Sequence, residues 1–253
     1  MCHMYFFTKE GCHVEGNLKH NNGYCVICEK EATFIEHNDW LRDHYLCSTC
    51  HSIPRQRALV HVLNTFFPKW GSYYIHESSP GGITTQLLIK NCKNYTYSQY
   101  FKNYPLGQYF QGIRCENLEN MTFQNESFDL FITQDVFEHV MEPEKAFKEI
   151  ERVLKPGGAH VFTVPWYHTL PKTLQRARIN KEGIEYIEEP IYHGNPIDEN
   201  GSLVTFDWGQ DMIEYIYTHA NMYTIVYLQK DRSLGLDAEF LHVFISKKHE
   251  HNF

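Results

Sequence analysis

Hydrophobic positions along the chain alternate between short unbroken runs and helically spaced sets. Tyr73, Tyr74 and Ile75 begin one run, Phe128 to Thr133 form a second, and Ala159 to Val164 a third. Between the first two lies Ile83 to Ile89, and between the last two lies Pro143 to Leu154, both at helical spacing. Apolar runs interleaved with helices predict a parallel sheet with crossover helices. The Pro143 helix is the clearest element. Ala146, Phe147, Ile150, Val153 and Leu154 share one face, and Glu144, Lys145, Lys148, Glu149, Glu151 and Arg152 occupy the other. Pro156-Gly157-Gly158 is expected to stop it. Upstream, Leu59, Val62, Leu63 and Phe66 recur at helical spacing between Pro54, where a helix can open, and Pro68, which ends the pattern.

Residues 1–23 lack sustained periodicity and contain Gly11, Gly16 and the turn signal Asn21-Asn22-Gly23, so they read as an arm. Cys2-His3 and Cys12-His13 match no common metal-site spacing. Residues 24–52 form a cysteine module, residues 53–69 a linking helix, and residues 70–253 the α/β domain. In the module, Cys25-Val-Ile-Cys28 is followed after eighteen residues by Cys47-Ser-Thr-Cys50. This is the spacing of a four-cysteine zinc site, in which each pair grips the metal from a tight turn. Four thiolates leave no open coordination position, so the expected Zn2+ is structural. His44 and His51 are alternative ligands, read here as surface residues beside the metal. Arg55 and Arg57 follow, with guanidinium forks suited to carboxylate or phosphate, or to a solvated first helical turn.

Composition narrows the function classes. A 253-residue chain that is 42% hydrophobic can bury a real core. Its 23 Lys+Arg against 31 Asp+Glu, a formal charge of -8, argues against sequence-independent binding to nucleic acid, although Arg55, Arg57, Lys172, Arg176 and Arg178 could still cluster after folding. No stretch approaches the ~18 apolar residues of a membrane span and no secretory signal opens the chain, so no membrane partner and a cytoplasmic location are expected. With no export signal, and four of its eight cysteines in Cys-x2-Cys pairs, metal binding is preferred to a disulfide framework. No motif specifies an oligomeric state.

A nucleotide-type cofactor needs a tight strand-to-helix turn of small residues, which Tyr74-Ile-His-Glu77-Ser-Ser-Pro-Gly81-Gly82 offers. Further on stands Phe128-Asp-Leu-Phe-Ile, then Asp135-Val-Phe-Glu-His-Val, Glu149-Ile and Arg152-Val-Leu-Lys-Pro-Gly-Gly. This run resembles the fourth strand, following helix and fifth strand of the class I S-adenosylmethionine-dependent methyltransferases, over roughly residues 70–248. The resemblance implies a Rossmann-like, doubly wound α/β sheet of seven strands, the last antiparallel, binding S-adenosylmethionine over the carboxyl ends of the early strands. It places Glu77 at the acidic position opening the first motif, with Gly81 and Gly82 in the glycine-rich turn and Ser79 where the family usually has glycine. Ser98 and Gln99 fall where an acidic residue usually holds the ribose. Glu116 and Asn117 match the adenine contact, and Gln134 with Asp135 ends the fourth strand beside the methyl donor.

Methyl transfer is mainly a matter of alignment, and a general base matters for acidic acceptors; the candidates are Asp135, His139 and His193. Tyr192-His193-Gly194-Asn195-Pro196 reads as a shaped loop whose Tyr192, His193 and Asn195 line the acceptor side, with Trp166, Tyr167, Tyr192 and Trp208 as candidate walls. The leading reading is a methyltransferase acting on a small-molecule or sugar-containing acceptor. The alternatives are an RNA methyltransferase whose zinc module grips nucleic acid, and a binding or regulatory protein that keeps the fold without catalysis.

Overall fold

The computed structural model describes residues 18–195 and 198–250. Cys2-His3, Cys12-His13 and Pro196 lie outside the described residues. The chain is ordered into a hairpin earlier than its sequence suggests: β1 (His20–Cys25) pairs antiparallel with β2 (Lys30–Glu36), which pairs with β3 (Tyr45–Cys47). Asn21-Asn22-Gly23, expected as a turn in an arm, is extended strand. Gly23 is needed there for close approach, since a Cβ would stand 2.0 Å from the Ser233 carbonyl oxygen. A short helix, α1 (Leu41–His44), precedes β3.

The expected linking helix is a layer of the α/β domain. In α2 (Pro54–Phe66), Ala58, Leu59, Val62 and Leu63 are buried in one core with Ile75, Leu130, Val161 and Ile245. The helical spacing of those four residues is met by a sheet face, while Val60 is buried with Cys25, Phe34, Tyr45 and Cys47, so the helix packs on the α/β domain and on the cysteine module alike.

The sheet is built by β4 (Tyr74–Ser78), α3 (Gly82–Asn91), β5 (Asn94–Gln99), β6 (Tyr109–Phe110), β7 (Ile113–Cys115), β8 (Phe128–Gln134), α4 (Pro143–Val153) and β9 (Leu154–Thr163). An insertion follows: β10 (Leu174–Gln175), β11 (Ala177–Asn180), β12 (Gly183–Tyr186), β13 (Tyr192–Asn195), β14 (Asp198–Leu203) and β15 (Phe206–Asp207). Its strands pair β10 with β15, β11 with β12 and β13 with β14, apart from the main sheet. Then α5 (Met212–Ala220), β16 (Tyr223–Tyr227) and β17 (Val243–Lys247) complete the domain. The main sheet has eight strands in the order β6-β7-β5-β4-β8-β9-β17-β16. Strands β7, β5, β4, β8 and β9 run parallel and β17 antiparallel to β9. The strand beyond the expected seven is β6, two residues folded back on β7 at the edge. Pro156-Gly157-Gly158 does not simply stop a helix. It lies inside β9 at a register irregularity, because the chain turns into the strand immediately after Val153.

On one face of the sheet, Phe147 of α4 and Ile216 of α5 share one core with Phe131, Phe137, Phe162, Trp208 and Phe244. His160 and His76 are buried in the same sheet and held neutral, since burial brings each pKa down to about 3 from the usual 6.5. His160 Nε2 bonds the Thr133 hydroxyl at 3.0 Å and its ring stacks on Phe162 at 4.3 Å. The unfolded chain protonates these rings below their ordinary pKa while the folded chain does not. Their stabilising effect is therefore complete above pH 6.5 and declines as pH falls towards 3. Each ring contributes about 1.4 kcal/mol per pH unit in that window. A His160→Phe variant is expected to lose stability less steeply than the parent between pH 7 and about 5. Urea unfolding across that range checks it; equal slopes would contradict the assignment.

Candidate functional site

A cavity of about 660 Å³ opens at the carboxyl ends of β4, β5, β7 and β8. Ser78 and Ser79 line it after β4, Gln99 and Tyr100 after β5, Glu116 and Asn117 after β7, and Asp135 after β8. Its roof comes from the insertion, through Ile179, Gly183 and Ile184 of the β11–β12 hairpin and Gly194, Asn195, Ser202 and Leu203 of β13 and β14. Ser79 (φ 58°) and Asp135 (φ 52°) both hold left-handed backbone, which costs a side chain of this kind roughly 1–3 kcal/mol and concentrates at ligand sites.

The residues assigned to the cofactor divide into two groups. Ser79, Gln99, Glu116, Asn117 and Asp135 meet around the cavity. Glu77, Ser98, Gln134, Gly81 and Gly82 are not among its lining residues. Glu77 is a buried hub. It accepts hydrogen bonds from the Thr85 hydroxyl at 2.8 Å, from Tyr95 Oη at 2.5 Å and from Gln134 Nε2 at 2.8 Å. Burial raises its pKa above the usual carboxylate range, against the pull of these donors. Since the Thr85 hydroxyl is also within 2.8 Å of the Gly81 amide, Glu77 braces the turn from below. Ser98 is bound to His76 Nε2 at 2.9 Å. Glu116 is locked at the cavity edge by Arg114 Nε at 2.7 Å and by the Thr122 amide at 2.8 Å and hydroxyl at 2.5 Å. Sequence reasoning missed Tyr100, Lys102, Leu118 and Met141, which also line the cavity and carry no motif signal.

Asp135 is tied to the cysteine module. Arg42 Nη2, from α1, lies 2.5 Å from its Oδ2, Arg55 Nε, from α2, lies 3.2 Å from the same oxygen, and the Thr163 hydroxyl donates to Oδ1 at 2.9 Å. Burial pushes its pKa up, yet the Arg55 and Arg42 guanidiniums outweigh that and hold the carboxyl below its ordinary range. Arg57 is buried and has no solvated role. Of the candidate basic patch, Arg176 is paired with Asp207 at 2.7 Å and Arg178 with Glu185 at 2.9 Å. These four arginines are committed to partners within the fold.

His139 sits on the cavity wall. Its Nδ1 lies 2.9 Å from the Leu203 carbonyl, so that nitrogen carries the proton and Nε2 keeps its lone pair. Burial lowers its pKa, which keeps the ring neutral. The His193 ring stands 5.1 Å away and perpendicular to it, which joins two of the expected catalytic residues at one spot. Tyr192 points elsewhere: its hydroxyl lies 3.3 Å from that of exposed Tyr186, and it does not line the cavity. The expected aromatic walls are not met either. Trp208 is wholly inside the core, and Trp166 packs against that core and donates to the Gly209 carbonyl at 2.6 Å. Trp208 packs on Phe147 of α4 and Tyr215 of α5, and Trp166 on His242 and Phe244.

Cys25, Cys28, Cys47 and Cys50 converge, their sulfurs all within 4.8 Å of one another. The Cys25–Cys50 and Cys28–Cys47 sulfur separations are both 3.7 Å, far from a disulfide bond and close to the ~3.8 Å edge of a tetrahedron with ~2.3 Å metal–sulfur bonds. The Cys50 hydrogen bond lowers the Cys25 thiol to about 4, while burial pushes Cys28 up to about 12. The four residues fit a tetrahedral dication.

The cavity also fits a sulfonium nucleoside: Leu118, Met141 and Asn117 can take a flat base, Gln99 a ribose, and Ser79 the amino-acid end. Comparison with known proteins agrees. Residues 80–162 match the family model of the methyltransferase domain. The chain is 31% identical over 74 residues to the ubiquinone biosynthesis O-methyltransferase of Parvibaculum lavamentivorans, covering 29% of this chain and 27% of that protein. It is 33% identical over 81 residues to the sarcosine/dimethylglycine N-methyltransferase of Aphanothece halophytica, covering 30% of this chain and 29% of that protein. The chain thus matches less than a third of the length of either relative. Among solved structures, a chain in the complex between the Haloferax volcanii Trm112 methyltransferase activator and a methyltransferase superposes with a TM-score of 0.50 at 13% identity, covering 79% of this chain and 91% of that one, a likeness of fold. The family match runs from α3 through β5, β8 and α4 into β9, so residues 80–162, the stretch that includes Asp135 and most strand ends around the cavity, are similar to the methyltransferase domain family.

Proposed function

We propose that the protein transfers a methyl group from S-adenosylmethionine to a small-molecule acceptor held beneath the two hairpins of the insertion, and that its four cysteines hold a structural Zn2+. The observation that supports this reading best is the two-sided cavity. Its floor is made of polar strand ends, and its roof brings Ile179, Ile184 and Leu203 over them. Bound S-adenosylmethionine supplies a methyl carbon already activated by a sulfonium leaving group, so alignment and exclusion of water are the chief tasks left to the protein.

The residues share those tasks. Gln99, Glu116 and Asn117 orient the nucleoside, and Glu116 does so rigidly because Arg114 and Thr122 fix its oxygens. Asp135 shapes the floor as an ionised, paired anchor. It is a poor proton acceptor at neutral pH, because protonating it would break two ion pairs. His139, neutral with a free Nε2, faces the acceptor space with His193 beside it. The paired arginines favour a small acceptor over RNA, which would need free cations along its backbone. Reduced, clustered sulfurs suit the cytoplasm.

Calorimetry with S-adenosylmethionine and its demethylated product tests the reading. Both are expected to bind the parent, and Asn117→Ala to weaken binding about tenfold, the loss of one or two hydrogen bonds. Failure of both ligands to bind would overturn the enzyme reading in favour of a binding protein that keeps the fold. Retention of bulk RNA at moderate salt would favour the nucleic-acid alternative.

A further inference from the structure

Glu138 is left unexplained by cofactor binding. Its side chain is 2% exposed, and neither carboxylate oxygen has a hydrogen-bond partner among the described residues. An unpartnered buried carboxylate is costly, so such a group points to a ligand that completes it. The short 3-10 turn Phe137–His139 that carries it is held in place, since the Thr205 amide donates to the Glu138 carbonyl at 2.7 Å and the Thr205 hydroxyl donates to Val140 at 2.8 Å.

Two imidazoles share the spot. One ligand atom from each of Glu138, His139 and His193 lies within 4.8 Å of the other two. His139 Nε2 is 3.9 Å from Glu138 Oε1, too long for a hydrogen bond and suited to two ligands of one ion with bonds of ~2.0–2.2 Å. The other nitrogen of His139 is bound to the Leu203 carbonyl, the arrangement that fixes the ring tautomer in metal-ligating histidines. Of the three only His139 lines the cavity; His193 is exposed and comes from β13, whose Gly194 and Asn195 line the roof, so the third ligand is on the element that covers the cavity.

We propose that Glu138, His139 and His193 form a second, divalent-metal site on the acceptor side of the cavity, with open coordination positions for oxygen donors of the acceptor. Two imidazoles and one carboxylate suit first-row transition ions. The site differs in kind from the cysteine cluster, whose sulfurs close the coordination sphere. Asp135 and Glu138 are balanced in formal charge by Arg42 and Arg55, so the ion is held by its ligand bonds and not by surplus negative charge. Weak, exchangeable binding follows, with His139 and His193 as ligands and not proton acceptors while the ion is bound. The metal site stands on these three residues alone; only its service to an acceptor rests on the methyltransferase reading.

The full chain, with zinc first loaded on its cysteines, is titrated with Co2+ and followed by visible absorption and calorimetry. Co2+ binds thiolates less tightly than Zn2+, so the cysteine site keeps its zinc. One Co2+ per chain is expected, with weak d–d bands and no thiolate charge-transfer band. Affinity is expected to fall at least tenfold in His193→Ala and in Glu138→Gln. Should Glu138→Gln fail to fold, His193→Ala, altered at an exposed position, decides the matter. The absence of any Co2+ uptake by the parent, or equal affinity in parent and His193→Ala, would overturn the site. S-adenosylmethionine binding without Co2+ binding would sink this proposal alone. Co2+ binding without S-adenosylmethionine binding would keep the site and sink the methyltransferase reading.

Discussion

Changing Cys47 to serine is expected to strip the metal, unfold the β1–β3 module and weaken cofactor binding by at least tenfold. Cys47 is wholly buried and ends β3, so its loss removes one corner of the sulfur tetrahedron and the anchor of that strand together. Structural zinc supplies roughly 10–16 kcal/mol of apparent binding energy in small domains, and a module with so small a core depends on it. The consequence reaches the cavity because Arg42 lies on α1 inside the module and Arg55 opens α2 just after it. With both released, Asp135 loses two ion pairs while it remains in left-handed backbone. Metal content by a chromogenic chelator, thermal unfolding and calorimetry with S-adenosylmethionine provide the measurements. A metal-free variant that binds the cofactor with the parent's affinity would show that the module does not support the cavity.

The second large effect is expected at Arg57. Its guanidinium is completely buried and donates to the Tyr45 carbonyl at 2.8 Å, to the Gly235 carbonyl at 3.1 and 2.8 Å, and to Ser52 through both the carbonyl and the hydroxyl. The charge also lies over the Phe34 ring, 4.7 Å from its centroid. Burial lowers its pKa to about 10, against the pull of the nearby cysteine sulfurs, so the group is still charged at neutral pH. Gly235 belongs to the same knot: its φ is 66°, and a Cβ would stand 2.6 Å from Phe34 and 2.7 Å from Arg57. Arg57→Met leaves three buried carbonyls without their donor, a loss of about 3–5 kcal/mol. In a protein of this size that lowers the melting temperature by on the order of 10 °C. Arg57→Lys is expected to recover little, because an ammonium cannot span carbonyls from three directions. Differential scanning calorimetry of both variants decides it, and a loss under about 1 kcal/mol would show that the knot is not a stabilising centre.

The two effects share a cause. The module and the α/β domain are joined by buried polar groups: Arg57 on Gly235, and Arg42 and Arg55 on Asp135. Arg232 adds a surface clamp, pairing with Glu36 and with Asp237 at 2.7 Å. The cysteine module is therefore one wall of the cavity's support, which the Cys47 and Arg57 variants probe from opposite sides.

Some of the elements could be read from the chain because their signals are local. The paired cysteines are spaced for two tight turns, the Pro143 helix is set by a face repeating along its own length, and the strands ending near Glu77 and Asp135 follow from apolar runs and their polar exits, whereas Glu116 was placed only by the resemblance to methyltransferases. What those residues do was decided at a distance. Asp135 is partnered by Arg42, 93 positions away, and Arg57 by Gly235, 178 positions away, and no periodicity encodes a pairing across such gaps. The same holds for Glu77, whose polar character was visible but whose burial by Tyr95, Thr85 and Gln134 exists only once three elements have packed. Glu138 and His193 meet only because the insertion folds back over β8. Local spacing determined the clearest strands and helices and the paired-cysteine turns of this protein; packing alone decided which charged groups were taken out of water and what each then had to face, since desolvation and pairing depend on neighbours in space and not on neighbours in sequence.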